Sequence, residues 1–282
     1  MSVKIREDIV PGFWYMSNNF GDAITHYLLG KLSGKTPVWV DPNEYINKYV
    51  VTGSILNNVI KCATVWGAGI ANKEDIIPVE HTVLAVRGVN TLNRLAECRA
   101  EQEAEFVEGE IAVGDPTLLM PRLYMSEQTS KYVVGIIPHY VDAIHLAHRM
   151  VDVKLYEQYG VRFIDVNQPV ESFIDEVVSC QYIVSSSLHG IICADAYGIP
   201  ADRGVLTNGI GGDGFKYSDW CSNFFGREDR FINLNDIPWH NPKEAVTELE
   251  QLHSKVVWKA SIKIDLGHLA RTCPFDNLGL LK

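Results

Sequence analysis

The feature that most constrains this chain is a repeating pair: a short β-branched or aromatic run, then glycine or small polar residues. Thr36–Val40, Tyr49–Val51 (before Gly53-Ser54), Ala63–Trp66 (before Gly67-Ala68-Gly69) and Thr82–Val86 (before Arg87-Gly88) carry it through the first half. Tyr132–Pro138, Val161–Val166 and Tyr182–Ser185 carry it through the second. Strands covered on both faces read as unbroken apolar runs, and small residues after each predict a turn into a helix. Asp142–Tyr159, Pro169–Cys180 and Ser186–Gly198 have helical character, the last closed by Gly198-Ile199-Pro200. This is the βαβ rhythm of a parallel sheet. It breaks once, between Met120 and Tyr132, at Pro121 and the polar run Ser126-Glu127-Gln128-Thr129-Ser130. The expectation is an α/β protein of two Rossmann-like, doubly wound domains, 1–128 and 129–282, facing a cleft into which strand C-terminal ends point their loops. Helices are expected after Gly53-Ser54 and Gly67-Ala68-Gly69, over Val246–Trp258, and along the tail Asp265–Leu281, with a C-terminal helix crossing back onto the first half.

Charge narrows the function. Over 282 residues, 25 Lys and Arg face 35 Asp and Glu, a formal net charge of −10. A nucleic-acid binder needs the opposite balance to neutralise phosphates. No run approaches the roughly 18 apolar residues that span a bilayer, and Met1–Asp22 has no basic-then-apolar leader pattern, so a cytoplasmic protein is expected. The cysteines, Cys62, Cys98, Cys180, Cys193, Cys221 and Cys273, include no CxxC pair and read as small hydrophobes in a reducing compartment rather than zinc ligands.

The densest chemical stretch is Ser185-Ser186-Ser187-Leu188-His189-Gly190, a strand end running into a helix start. Free N–H groups there bind anions, hydroxyls add donors, and a histidine beside an anion is suited to general-acid work. A plain serine N-cap followed by a packed histidine is the structural alternative. Asn19, Gly21 and Asp22 precede a helix, with Asp22 as its cap or as a cleft residue. Gly53 and Ser54 follow a strand. Gly67 and Gly69 begin a dinucleotide-like fingerprint, but Asn72 stands where the third glycine belongs, so the NAD reading is weak. Arg87 ends a strand, as a carboxylate or phosphate clamp or as half of a surface ion pair. Asp115, in Gly114-Asp115-Pro116, sits in a turn, and His139 follows the first strand of the second half. His139, His145 and His148 lack a completing carboxylate, so no metal site is expected. The loop Gly209–Gly214 delivers Lys216 either to a ligand or to solvent.

Taken in order, these motifs resemble the polysaccharide pyruvyl transferase family. The matching stretches are Asn19-Phe20-Gly21-Asp22, Gly53-Ser54-Ile55-Leu56, Trp66-Gly67-Ala68-Gly69, Arg87-Gly88 with Thr91, Gly114-Asp115-Pro116 and Ile137-Pro138-His139-Tyr140. They continue with Ser185–Gly190 leading to Asp195-Ala196-Tyr197-Gly198-Ile199-Pro200, then Phe215-Lys216-Tyr217-Ser218-Asp219, so the likeness runs from about residue 14 to about 222. It is strongest to the branch that builds bacterial exopolysaccharide and capsule. One departure is Val89-Asn90 after Arg87-Gly88, where the family usually has proline.

The resemblance implies a glycosyltransferase-B-like architecture with the acceptor on the N-terminal side and the donor on the C-terminal side. It implies phosphoenolpyruvate as co-substrate with no other cofactor, a sugar of a glycan or lipid-linked oligosaccharide as acceptor, and contact with the inner face of the membrane through that glycan. His189 is then the proton donor. Arg87, Ser185, Ser186, Ser187, Leu188 and Lys216 hold the donor. Asn19, Gly21, Asp22, Gly53, Ser54, Gly67, Gly69, Asp115 and His139 are cleft candidates for the acceptor. The rival readings are a sugar-nucleotide glycosyltransferase on the same architecture, and a non-catalytic sugar- or nucleotide-binding module.

Overall fold

In a computed structural model, which describes residues 7–17, 19–59, 61–150, 152–254 and 262–281, the chain forms two parallel sheets. The first half contributes β1 (Ile9–Gly12), α1 (Phe20–Ser33), β2 (Thr36–Trp39), β3 (Lys48–Val50), β4 (Ala63–Trp66), β5 (Thr82–Val86), α2 (Val89–Glu101), β6 (Ala112–Val113) and the short α3 (Met120–Leu123). The second contributes β7 (Tyr132–Ile137), α4 (Tyr140–Ala147), α5 (Val153–Gln158), β8 (Val161–Phe163), α6 (Val170–Val178), β9 (Cys180–Ser185), α7 (Leu188–Ala196), β10 (Ala201–Val205), α8 (Phe215–Cys221) and β11 (Phe231–Asn233). Helices α9 (Pro242–Ser254) and α10 (Leu266–Arg271) follow.

The strand orders are β2-β1-β3-β4-β5-β6 and β8-β7-β9-β10-β11, and the pairings within both are parallel. In each sheet the second strand lies on one side of the first and the later strands on the other. Two loops therefore diverge where the order reverses, after β1 and β3 in one sheet and after β7 and β9 in the other. A crevice opens there because neighbouring crossovers pass to opposite faces.

Two expected helices are absent. Residues 67–81 contain no helix, and only a single 3-10 turn, Leu56–Asn58, follows β3. The glycines there serve close packing instead. A Cβ on Gly67, whose φ is +104°, would lie 2.1 Å from Pro116 Cδ, and one on Gly69 would lie 2.6 Å from Arg87 Cζ. The span Asp142–Tyr159 is two helices rather than one, the second capped by Asp152, which accepts from Lys154 N at 2.9 Å. The tail is helical only over Leu266–Arg271. Helix α9 covers most of Val246–Trp258, while residues 255–258 lie outside the described residues, as do Asn18 and Lys282.

The two sheets share one apolar cluster. Ile24 and Leu28 of α1 belong to it with Phe173 of α6 and Ile191 of α7, and Phe20 stacks on Phe173 at 4.1 Å. The chain end returns to the first sheet: Trp66 Nε1 donates to Leu269 O at 2.9 Å, Phe275 packs edge-on against Trp66 and Tyr49, and Arg122 donates to Leu281 O at 2.6 Å. The six cysteines are free thiols. Among the described residues, no helix is long and apolar enough to cross a membrane.

Candidate active site

The second sheet's reversal lies between the ends of β7 and β9, where Ile137 pairs with Ser185. Beyond it the chain turns sharply, and the serines divide the work. Ser185 Oγ donates to Ser187 O at 2.7 Å and accepts from Ser187 N at 3.0 Å, so it folds the turn. Ser186 Oγ accepts from His139 N at 2.8 Å, tying the two crevice loops together. Both are fully buried, as Leu188 nearly is. Ser187 is the partly exposed member, and it sits at the N-cap of α7 with its hydroxyl uncommitted to the cap. The three hydroxyls thus reduce to one facing outward, beside the free N–H groups of α7.

His189 is the second residue of α7, and its surroundings come from the first half. Nε2 lies 3.4 Å from Asp115 Oδ2, and the Asp115 carboxylate is fully buried. Asp115 follows β6, and its Oδ1 caps the 3-10 turn Pro116–Leu119 by accepting from Thr117 N at 2.9 Å. Gly21 lies against the opposite nitrogen: a Cβ there would sit 2.6 Å from His189 Nδ1.

Asn19-Phe20-Gly21-Asp22 can now be read residue by residue. Asn19, not Asp22, is the N-cap of α1, with Oδ1 accepting from Asp22 N at 3.2 Å. Asp22 answers through Oδ2, which accepts from Asn19 Nδ2 at 2.7 Å and from Ser17 Oγ. Phe20 packs across to the second half, and Gly21 leaves room for the imidazole. Burial pushes the Asp22 carboxyl up, against the pull of its Ser17 bond, the charge of His189 and the Asn19 bond. Thr52, after β3, donates to Gly21 O at 3.3 Å, so the first sheet's reversal is fastened to the same helix end.

Arg87 is placed differently from the expectation of a clamp on a bound anion. It is fully buried; Nε pairs with Asp219 Oδ2 at 2.8 Å, Nη1 donates to Ser54 Oγ at 2.5 Å and Nη2 to Ile70 O at 2.8 Å. Its carboxylate partner belongs to the chain itself. Asp219 also accepts from Thr91 N at 2.7 Å and Thr91 Oγ1 at 2.8 Å, so α8 supplies the missing cap of α2. Val89 occupies the first position of that helix, where proline is also tolerated, so the departure from the family pattern leaves the backbone course intact. Gly53 accepts through its carbonyl from Gly69 N at 2.9 Å. Gly53, Ser54, Gly67 and Gly69 are thus scaffold around Arg87 and Pro116.

Lys216 stands beside this network. Its ammonium donates to Gly211 O at 3.3 Å, and among the described residues no carboxylate lies within ion-pairing distance. Burial, with Arg87 and Arg203 nearby, lowers its pKa to about 8. A cavity of about 250 Å³ opens here, lined among others by Lys216, Arg203, Thr207, Asn208 and the Gly211–Gly214 backbone. The loop that roofs it is tied to the first half, because Asp213 accepts from Lys73 N at 3.0 Å and donates through its own N to Asn72 Oδ1 at 3.1 Å. Tyr217 joins the cavity to the serine turn by donating to Ser186 O at 2.8 Å.

His139 caps α4, its Nδ1 accepting from Val141 N at 3.3 Å. Burial and the Lys216 charge hold its pKa down, so the ring is neutral and carries its proton on Nε2. That leaves Nε2–H as the ring's donor. Among the described residues, no three His, Cys, Asp or Glu side chains form a metal-holding group.

A family model described as polysaccharide pyruvyl transferase matches residues 19–201, well over half of the chain. The chain belongs to the polysaccharide pyruvyl transferase family. The matched segment begins at the α1 cap and ends just past α7, so it holds the second sheet's reversal and His189, while β1, Lys216 and Asp219 lie outside it. Uncharacterized protein L143 of Acanthamoeba polyphaga mimivirus is 28% identical over 255 residues, covering 82% of this chain and 83% of that protein. Succinoglycan biosynthesis protein ExoV of Rhizobium meliloti (strain 1021) is 25% identical over 221 residues, covering 75% of this chain and 63% of ExoV. The sequence placed Asp219 in the family stretch Phe215–Asp219 but gave it no role, because its partners, Arg87 and Thr91, are more than 120 residues away.

Proposed function

We propose that this chain moves the enolpyruvyl group of phosphoenolpyruvate onto two hydroxyls of a glycan sugar, forming a cyclic pyruvate ketal and releasing phosphate. Family membership supports pyruvyl transfer in polysaccharide biosynthesis. The observation that carries the donor assignment is the gathering, at one sheet reversal, of an imidazole, the outward N–H groups of α7 and a lysine with no carboxylate partner. A carboxylate and a phosphate on one small molecule need such a set. A dinucleotide would instead need a glycine turn opening a helix, and the Gly67-Ala68-Gly69 loop opens none.

In this mechanism Lys216 and the 250 Å³ cavity take one anionic end of the donor, and Ser187 with the α7 N–H groups takes the other. Arg87 acts from behind, holding α8 and therefore Lys216 in place. His189 gives its proton to C3 of the enol, and C2 gains oxocarbenium character. A sugar hydroxyl adds to C2 and releases its proton to a base. The C2–O bond to phosphate then breaks, phosphate leaves, and the neighbouring hydroxyl adds to C2 with loss of its own proton. One hydroxyl proton replaces the one given to C3, and the other leaves with phosphate. Asp22, held by Ser17 and Asn19 beside His189, is the base closest to the acceptor side. General-acid transfer of this kind contributes roughly 10²–10⁴-fold.

The test is turnover by the purified chain with phosphoenolpyruvate or UDP-sugars and a panel of glycan acceptors. Phosphate release matched by a pyruvate ketal in the acceptor's mass is expected. UDP release without ketal would make it a sugar-nucleotide transferase. His189→Ala should lower kcat by about 10²-fold or more with the fold intact.

A further inference from the structure

We propose that Asp115 is a positioning residue that fixes the tautomer of His189, so that Nε2 holds a proton permanently and Nδ1 is the nitrogen that exchanges one with the substrate. The inference rests on His189 being the proton donor of the proposed reaction, but the tautomer itself does not depend on which donor is used.

Three observations converge. Nε2 of His189 and Oδ2 of Asp115 are both sealed from solvent, neither has a hydrogen-bond partner among the described residues, and they lie 3.4 Å apart. Two buried polar atoms left unmatched are costly, and a small rotation of the ring that brings an Nε2 proton onto the carboxylate would satisfy both. The carboxylate cannot turn away, because Oδ1 is committed to Thr117 N at 2.9 Å. On the far side of the ring, Nδ1 has no protein partner among the described residues yet is not among the sealed atoms. It faces Gly21, where a Cβ would intrude to 2.6 Å. The nitrogen left open towards α1 and Asp22 is therefore Nδ1, and the missing side chain of Gly21 keeps it open.

No net chemistry is asked of Asp115. It neither takes nor gives a proton while Nδ1 cycles: Nδ1–H gives its proton to C3 of the enol, then Nδ1 recovers one from an acceptor hydroxyl or from water. An orienting carboxylate behind a histidine is worth about 10⁴-fold in kcat where its replacement by an amide imposes the wrong tautomer.

The isosteric variant makes a sharp prediction. In Asp115→Asn the amide oxygen is kept by Thr117 N, so the amide NH₂ faces Nε2. Nε2 must then accept, and the neutral ring is forced to carry its proton on Nδ1. Nitrogen-15 NMR of the histidine-labelled full chain, at a pH where the ring is neutral, reads this directly. The wild type should show His189 with its proton on Nε2, and Asp115→Asn should show it on Nδ1. kcat should fall at least about 10²-fold with the KM for phosphoenolpyruvate unchanged. Should the turn capped by Asp115 fail to fold in the variant, the wild-type spectrum alone decides. A neutral wild-type His189 protonated on Nδ1 would overturn the proposal, as would a folded Asp115→Asn enzyme with native kcat. A protein that shows the predicted tautomer but releases no phosphate from phosphoenolpyruvate would retain this assignment and lose the donor.

Discussion

At the scale of single residues, the candidate site is built from side chains that are absent as much as from those present. Gly21 is the clearest case. Alanine favours a helix interior over glycine by about 1 kcal/mol, so Gly21→Ala should leave α1 intact. Yet its Cβ would press on His189 Nδ1. The expected outcome is a native-like unfolding midpoint with kcat lowered by an order of magnitude or more, checked by urea titration beside steady-state turnover. Lys216 makes a pH prediction. Its pKa of about 8 in the free protein means that it is charged below that value and neutral above. Binding an anion favours the charged form, so the KM for phosphoenolpyruvate should rise as pH increases through about 8. Lys216→Met should raise KM at pH 7 and erase that inflection; an unchanged profile would remove Lys216 from the donor site. His189 and Lys216 were legible in the sequence because each follows a strand or a glycine loop. The inward turn of Ser185, Ser186 and Arg87 was not, since a hydroxyl or guanidinium at a strand end reads the same whether its partner is a ligand or the chain.

Between elements, the ion pair of Arg87 and Asp219 does most of the joining. It links β5 to α8, caps α2 through Thr91, and accounts for the glycine at position 88, where a Cβ would fall 2.3 Å from Asp219 O. Removing one member leaves the other charge buried and uncompensated, which costs about 3–5 kcal/mol. Asp219→Ala should show that loss in chemical denaturation, and a loss below about 1 kcal/mol would mean that the pair is not the joint described. The strand pattern was readable where strands are buried on both faces, as in β4, β7 and β9. Four strands escaped it, the two-residue β6 among them. β1 reads Ile-Val-Pro-Gly, β11 is a three-residue edge, and β10 carries Asp202 and Arg203 in its middle. Those charges are tolerated because Asp202 accepts from Tyr182 Oη at 2.6 Å and Arg203 pairs with Asp229 at 2.8 Å. Gly53-Ser54 and Gly67-Ala68-Gly69 predicted helices after β3 and β4 because a glycine needed for positive φ in a loop, as Gly53, or for contact, as Gly69, looks like one that opens a helix.

Over the whole molecule, a net charge of −10 offers no long-range field for a polyanionic donor. In the proposed mechanism attraction has to be local, and Lys216, which has no counter-ion among the described residues, would supply it beside Arg87 and Arg203. The sheets also share a core and are bound by the returning C-terminal segment. Urea unfolding followed by tryptophan fluorescence and by far-ultraviolet circular dichroism should therefore give coincident single transitions; separated midpoints would show the halves to be energetically independent. The measurement closest to the central claim is hydrogen–deuterium exchange of the full chain with and without phosphoenolpyruvate. Donor binding at the second sheet's reversal predicts slowed exchange in 137–141, 186–191 and 209–217, with residues 242–254 unchanged. Protection confined to other segments, or none at saturating donor, would contradict it.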